Sequence, residues 1–314
     1  MKILARIAAV VLVAALGAEL AARCFLSLDA LVYRDSDDPQ LAYELRPGSS
    51  GIKNGVPVAI SEQGLRDEPV PAAKAPGERR VLVVGGHETF GVGVEAKDTF
   101  VRELAEGLVD PKEGNARTIN LSMYSYHLGQ KVELACSRLP SLAPELVVLE
   151  VTESDGGKPY PPLLRMNHLK NWIREHSVLA RWASERRYLR ERPTVPGTDD
   201  YEKTLAQVRR FKQCADSAGG RAVVLLSPDI GVARTSTPSE IRRAVDDGAK
   251  ELGMTLVDVG AALDALRPED RGVFPNAHFL SPAAHRAVAD ELRRALRPLL
   301  KKKRPAAAPT RPSA

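Results

Sequence analysis

The sequence predicts an α/β chain, a three-layer α/β/α sandwich built on a five-stranded parallel sheet. Three observations carry this expectation. Val81-Leu82-Val83-Val84, Leu146-Val147-Val148-Leu149 and Ala222 to Leu226 are apolar runs without polar alternation, as strands covered on both faces require. Stretches of helical period separate such runs, and parallel strands need crossovers of that kind. The first run also empties into Gly85-Gly86, a turn at a strand's carboxyl end, where open α/β sheets handle their ligands.

With 314 residues and 44% hydrophobic content, the chain has room for one large domain with attachments. Its net charge of +5 is inflated by Lys2 and Arg6 at one end and by Lys301, Lys302, Lys303 and Arg304 at the other. Elsewhere the bases are interleaved with acids and no helix-turn-helix or zinc pattern occurs, which argues against a nucleic-acid partner. Cys24, Cys136 and Cys214 form no CxxC pair and are too few for a disulfide framework. Two half-buried thiols in helices fit Cys136 and Cys214 better, with a single bridge between them as the alternative.

Residues 1–28 read as an N-terminal signal anchor or transmembrane helix. Lys2 and Arg6 precede an uncharged run from Ile7 to Ala18, Glu19 is the one acid, and no clean cleavage site follows. The basic lead stays inside, so the remainder is expected on the exported, periplasmic or extracytoplasmic face. Arg23 before Cys24 argues against lipoprotein processing. Residues 29–78 form an N-terminal hairpin and linker, with Asn54-Gly55 as the turn and Pro69, Pro71, Pro76 and Gly77 in the connector.

The main domain spans residues 79–299. Asp98 is placed to cap a helix carrying Phe100, Leu104 and Leu108; a second strand covers Thr118 to Leu121, and a helix from Gly129 to Leu139 leads to the third strand. A helical insertion at about 158–198 interrupts the rhythm. Leu169, Trp172, Ile173, Leu179 and Ala183 share one face there, and Arg174, Arg181, Arg186, Arg187 and Arg190 crowd the rest. It reads as an amphipathic lid packed on the domain; the alternative is a surface resting on anionic lipid or an acidic polymer. A helix from Asp200 to Ser217, a strand Ala222 to Leu226, a helix starting near Pro238 and a strand Thr255 to Val259 follow. The last helix is capped by Ser281, begins at Pro282 and stops at Pro298. The five strands give a sheet of flavodoxin-like type. Residues 300–314, rich in proline, alanine and base, form a disordered tail.

The motifs carry a resemblance. Read in order, VLVVGGHETFGVGV is similar to the block GDSFTFGxGV of the SGNH branch of the GDSL esterase and lipase superfamily. TINLSMYSYHLGQ, LVVLEVTESD and NAHFLSPAAHRAVADEL resemble its later blocks, and LRPG, GLRD and HSVLAR resemble its membrane-anchored, exported members. The likeness covers Tyr43 to Leu296 and implies the SGNH hydrolase fold.

Such enzymes attack an ester with serine, use histidine as base and aspartate to orient it, and hold the oxyanion with backbone and asparagine donors; the resemblance implies no cofactor. Residue by residue, His87 occupies the nucleophile position and Gly86 replaces the aspartate before it. Ser122 stands at the oxyanion glycine and Ser154 at the oxyanion asparagine. Pro275 falls at the orienting aspartate, with Asn276 the nearest polar group, and only His278 retains its type. This pattern argues against serine esterase chemistry. The leading expectation is a pseudoenzyme that binds or scaffolds an acylated envelope carbohydrate, an ester ligand or an envelope protein partner. Gly86, Glu88, Ser122, Ser154 and Asp155 would line its polar pocket, with backbone donors at Gly86 or Ser122.

Two rescues stand beside that reading. Ser122 or Ser154 would serve as displaced nucleophile with His278, or His87, His278 and Asp155 would hold a metal. Glu150 is expected to point away from Glu153 and Asp155, all three as solvated acids. Gly91 and Gly93 make no phosphate cradle, and His127, His168, His176 and His285 are assigned no chemistry.

Overall fold

The computed structural model describes residues 2–26, 28–112, 114–156, 172–173, 175–190, 200–230, 238–273 and 276–301, without the side chains of 156, 185, 187–190 and 276–278. The tail beyond 301, most of the insertion including Leu169 and Arg174, and Pro275 therefore lie outside the described residues, as does His168.

The chain opens with α1 (Lys2–Phe25), the one helix among the described residues long and apolar enough to cross a membrane. Its 24 residues reach about 36 Å, longer than the roughly 30 Å hydrocarbon layer of a bilayer. Two antiparallel pairs follow, β1 (Tyr33–Asp35) with β2 (Tyr43–Leu45) and β3 (Ser50–Lys53) with β4 (Val56–Ala59). Asn54 and Gly55, at φ of 51° and 80°, make the expected turn of the second pair.

The body is a parallel sheet of β5 (Glu78–Gly85), β6 (Asn115–Ser122), β7 (Leu146–Thr152), β8 (Arg221–Ser227) and β9 (Thr255–Asp258), ordered β6-β5-β7-β8-β9. Short helices α2 (His87–Phe90) and α3 (Phe100–Ala105) follow β5, and α4 (Leu128–Leu142) follows β6. Then come α5 (Val178–Arg190), α6 (Tyr201–Ser217), α7 (Glu240–Glu251), α8 (Gly260–Asp264) and α9 (Pro268–Arg271). A small hairpin of β10 (Gly272–Val273) and β11 (Asn276–Leu280) leads into α10 (Pro282–Leu300).

Side-chain alternation along β5 builds both layers. Leu82 and Val84 pack in a core with Val132 and Leu139 of α4, Val208 and Phe211 of α6, and Ile241 and Val245 of α7. Val81 and Val83 face the other way, toward Phe100 and Leu104 of α3, Leu263 of α8, and Val288, Leu292 and Leu296 of α10. Each such fully buried aliphatic side chain contributes about 1.5–3 kcal/mol over exposure, so the sheet needs both helix layers. Because β6 and β7, the next two strands of the chain, lie on opposite sides of β5, the loops after β5 and β7 meet at the point where the strand order reverses.

Several sequence expectations change. Cys136 of α4 and Cys214 of α6 form a disulfide across 78 residues, with Cα atoms 5.2 Å apart, because the two helices pack side by side. Closing a loop of that length stabilises by about 4 kcal/mol in chain-entropy terms. Asp98 lies in a 3-10 turn rather than at the cap of α3; Thr99 holds the cap position, and the imidazole Nδ1 of buried His285 accepts the Phe100 N–H at 3.1 Å. Pro298 does not end α10. The helix runs on to Leu300, whose burial holds the final turn in place.

Candidate functional site

The carboxyl ends of β5, β6 and β7 bring together three motif-bearing loops, with the fourth motif, in β11, alongside. Gly85 must be glycine, because a Cβ there would meet Thr89 Oγ1 at 1.9 Å and Glu150 Oε2 at 2.0 Å. The chain then turns into α2, with Gly86 before its first residue and His87 at its start.

His87 stands at the strand end as the sequence places it, but its ring is packed. Tyr124 stacks on it with centroids 4.5 Å apart, and Phe279 of β11 meets it edge-on at 5.6 Å. Its Nδ1 accepts the backbone N–H of Ser125 at 3.0 Å, which leaves the ring proton on Nε2. Burial pushes the imidazole down to about 4, with Glu150 opposing and Lys131 and His127 reinforcing. It is a neutral imidazole at neutral pH. Lys53 of β3 lies 5.6 Å from the rings of both Tyr33 and Tyr124, so the N-terminal hairpin reaches over this stack.

Glu150 overturns the expectation of a solvated acid. It is fully buried, and its Oε2 accepts the Gly86 N–H at 2.8 Å and the Thr89 hydroxyl at 2.5 Å. Burial opposes its ionisation, but Lys131 and these donors hold it below the usual carboxylate range. Glu88, buried beside it, is pushed well up by burial and by the Glu150 charge, so the two act as one coupled pair with the proton on Glu88. Lys131 of α4 completes this interior. Its Nζ donates to Asp155 Oδ2 at 2.7 Å and to the Glu150 carbonyl at 3.2 Å, and Asp155 also accepts the Thr152 N–H at 3.0 Å. Although burial works against its charge, Asp155 and Glu150 hold Lys131 protonated.

Lys131 also explains Gly86. A Cβ at that position would lie 3.3 Å from Lys131 Nζ and 3.2 Å from its Cε, so the lysine fills the space a side chain there would enter.

Of the five residues expected to line a pocket, only Ser154 is exposed. Gly86, Glu88, Ser122 and Asp155 are buried, and the polar groups of Gly86, Ser122 and Asp155 turn inward. The Gly86 N–H belongs to Glu150, which removes it as an oxyanion donor, and the Ser122 hydroxyl donates to Asn120 Oδ1. Ser154 Oγ donates to Asp229 at 3.0 Å and lies 2.9 Å from Thr152 Oγ1; burial pushes Asp229 up. The side chains of Asn276 and His278 lie outside the described residues, so the opposition of His87 and His278 stays an expectation. Among the described residues no group of three His, Cys, Asp or Glu is arranged to hold a metal.

Sequence reasoning missed Lys131, Tyr124, Asp229 and His127. Lys131 left a signal, since it sits among the apolar positions of α4, with Leu128, Val132 and Ala135. His127 lies close enough to His87 and Asp155 to interact electrostatically with both, and burial pushes it down.

The GLRD segment has a structural task. Arg66 is 3% exposed, stacks 4.6 Å from the Phe90 ring, and donates to the carbonyls of Phe90, Gly91 and Val94, the last at 2.7 Å. Asp67 accepts the Asn120 N–H at 3.0 Å, tying the same segment to β6.

Fold and loop order together define an α/β protein on a five-stranded parallel sheet, with the packed imidazole of His87 at the carboxyl end of β5. No family model and no curated protein matches the chain. Among solved structures it is similar to GDSL and SGNH hydrolases. The psychrotrophic esterase EstA from Pseudoalteromonas sp. is 13% identical, with 71% of this chain and 98% of that one covered and a TM-score of 0.48. TesA is 18% identical over 71% and 100%, also at 0.48, and the lipase/acylhydrolase from Enterococcus faecalis is 12% identical over 72% and 100%, at 0.45. The likeness is one of fold, and none of these proteins' activities passes to this chain with it.

Proposed function

We propose that this chain is an SGNH-hydrolase-like protein that binds an acylated ligand, an ester-bearing envelope carbohydrate or an acyl-transfer partner, without serine esterase turnover. One observation carries the reading. At the nucleophile position stands a neutral imidazole packed between Tyr124 and Phe279 with its Nδ1 occupied, and the neighbouring Gly86 N–H is committed to Glu150. Covalent catalysis therefore lacks both its attacking oxygen and one stabilising donor, and loss of a single oxyanion donor costs about a hundredfold to a thousandfold. The apolar α1 supports a membrane anchor, and the Cys136–Cys214 bridge fits an exported, oxidising compartment.

The test is turnover of p-nitrophenyl acetate and labelling by a fluorophosphonate. Wild type is expected to show neither, and the combined His87→Ser and Asn276→Asp variant to remain far below a working esterase, because Gly86 N–H stays on Glu150. Hydrolysis well above buffer that His278→Ala abolishes overturns the reading. A second reading, an active hydrolase, has one observation in its favour, the exposed Ser154 hydroxyl against Asp229. Fluorophosphonate labelling at Ser154 would establish it. The metal alternative is weakened, since Asp155 is spent on Lys131 and Thr152.

A further inference from the structure

The single acid of α1 is not a stray charge. Glu19 accepts the Ser177 hydroxyl at 2.8 Å and the backbone N–H groups of Val178 at 2.9 Å and Leu179 at 3.2 Å, so it caps the N-terminus of α5 from another helix. Arg23 pairs with the same carboxylate at 2.8 Å and donates to the His176 carbonyl at 2.7 Å. A further tether lies beyond the helix, where Arg181 donates to the Asp29 carbonyl. Thus the start of the insertion helix is fixed to the far end of α1, about 25 Å along the helix from Lys2. The sequence expectation of a lid packed on the domain becomes, for the described part, a helix packed on the anchor.

This placement determines what α5 faces. Where α1 leaves a bilayer, α5 and the turn before it stand at the headgroup level. Trp172 is 58% exposed there and Ile173 40%, with Trp172 stacked on His176 at 4.6 Å. Along α5 four arginines accompany one glutamate, and Arg186 lies 5.1 Å over the Trp182 ring. Exposed tryptophan beside arginine is the composition of an interfacial segment, apolar enough for the acyl boundary and cationic for phosphate. We propose that Trp172, Ile173 and Arg186 rest on anionic phospholipid of the leaflet from which α1 emerges, with Glu19 setting their height. The proposal rests on the reading of α1 as an anchor. Charge complementarity and continuity with the anchor select lipid over an acidic polymer as the occupant.

The test uses the full chain in phosphatidylcholine vesicles with and without phosphatidylglycerol. Trp182→Phe leaves Trp172 as the sole tryptophan, and Cys24, exposed and unbridged at the end of α1, takes an environment-sensitive fluorophore. Trp172 is expected to be quenched by headgroup-labelled lipid at least twofold more strongly when phosphatidylglycerol is present. Glu19→Gln should lower that quenching while the circular dichroism spectrum stays unchanged. If the Cys24 probe reports lipid while Trp172 answers only to aqueous iodide, the proposal fails and the anchor stands. A Cys24 probe that stays aqueous overturns both. A Trp172 response to soluble dextran sulfate but not to phosphatidylglycerol overturns lipid as the occupant.

Discussion

The loop that follows β5 has two halves with opposite fates. Its far half, Phe90 to Val94, matches the residues of the block it resembles, and Arg66 is buried behind it to bind three of its carbonyls. Its near half, Gly86 and His87, differs from that block in residue type, and it is held by Glu150, Lys131 and the Tyr124 ring. Shape and chemistry are thus separately encoded at one strand end. The backbone path depends on buried hydrogen bonds that are expensive to break, while a reactive side chain is replaceable as long as those bonds are remade.

The largest test of this comparison is Lys131→Met. It leaves Asp155 buried without its cation, and a loss of about 4 kcal/mol in urea unfolding is expected. Adding Asp155→Leu should recover only part of it, because one stranded carboxylate is removed while Glu150 still lacks its cation and the Thr152 N–H loses its acceptor. If the single variant costs nothing, the near half does not rest on this ion pair.

Arg66→Ala should follow at about 3 kcal/mol, since carbonyls of Phe90, Gly91 and Val94 lose a charged donor. Arg66→Lys should rescue little of it, because one ammonium does not span acceptors arranged for a guanidinium fork. A full rescue would mean that charge, not geometry, holds the far half.

The third test is pH. His87 and His285 are held down to about 4 and about 3 by burial, against an ordinary value of 6.5. Between 6.5 and those values the unfolded chain binds more protons than the folded one, so their contribution is complete above 6.5 and is lost as pH falls. The urea midpoint should therefore drop from pH 7 to pH 5, and His87→Phe should reduce the slope, leaving the part due to His285 and to His127, which burial also pushes down. An unchanged slope would place the His87 ring in water. Smallest is Tyr124→Ala, which removes the ring stacked on His87 and should cost about 1 kcal/mol beyond lost area. It should also raise the His87 pKa, readable by proton NMR of the imidazole.

The sheet, its strand order and the position of His87 were legible in the sequence, because apolar runs, glycine turns and helical periods are local signals. That a histidine stands where the resembling block has serine was equally plain, being a matter of residue identity. The burial of Glu150 was not. Alternation in the text predicts its side of the strand, but only packing shows that the space beneath Gly86 is closed and that Lys131, nineteen positions before Glu150, enters it from a helix to meet both Glu150 and Asp155. The same holds for the Cys136–Cys214 bridge and for the capping of α5 by Glu19, which join residues 78 and about 160 positions apart. By itself the sequence determined where strands end and which side chains stand there. Tertiary structure decided which of those groups face solvent and which are spent on one another, because the partner of a buried polar group is chosen by proximity in the folded chain and leaves no period in the text.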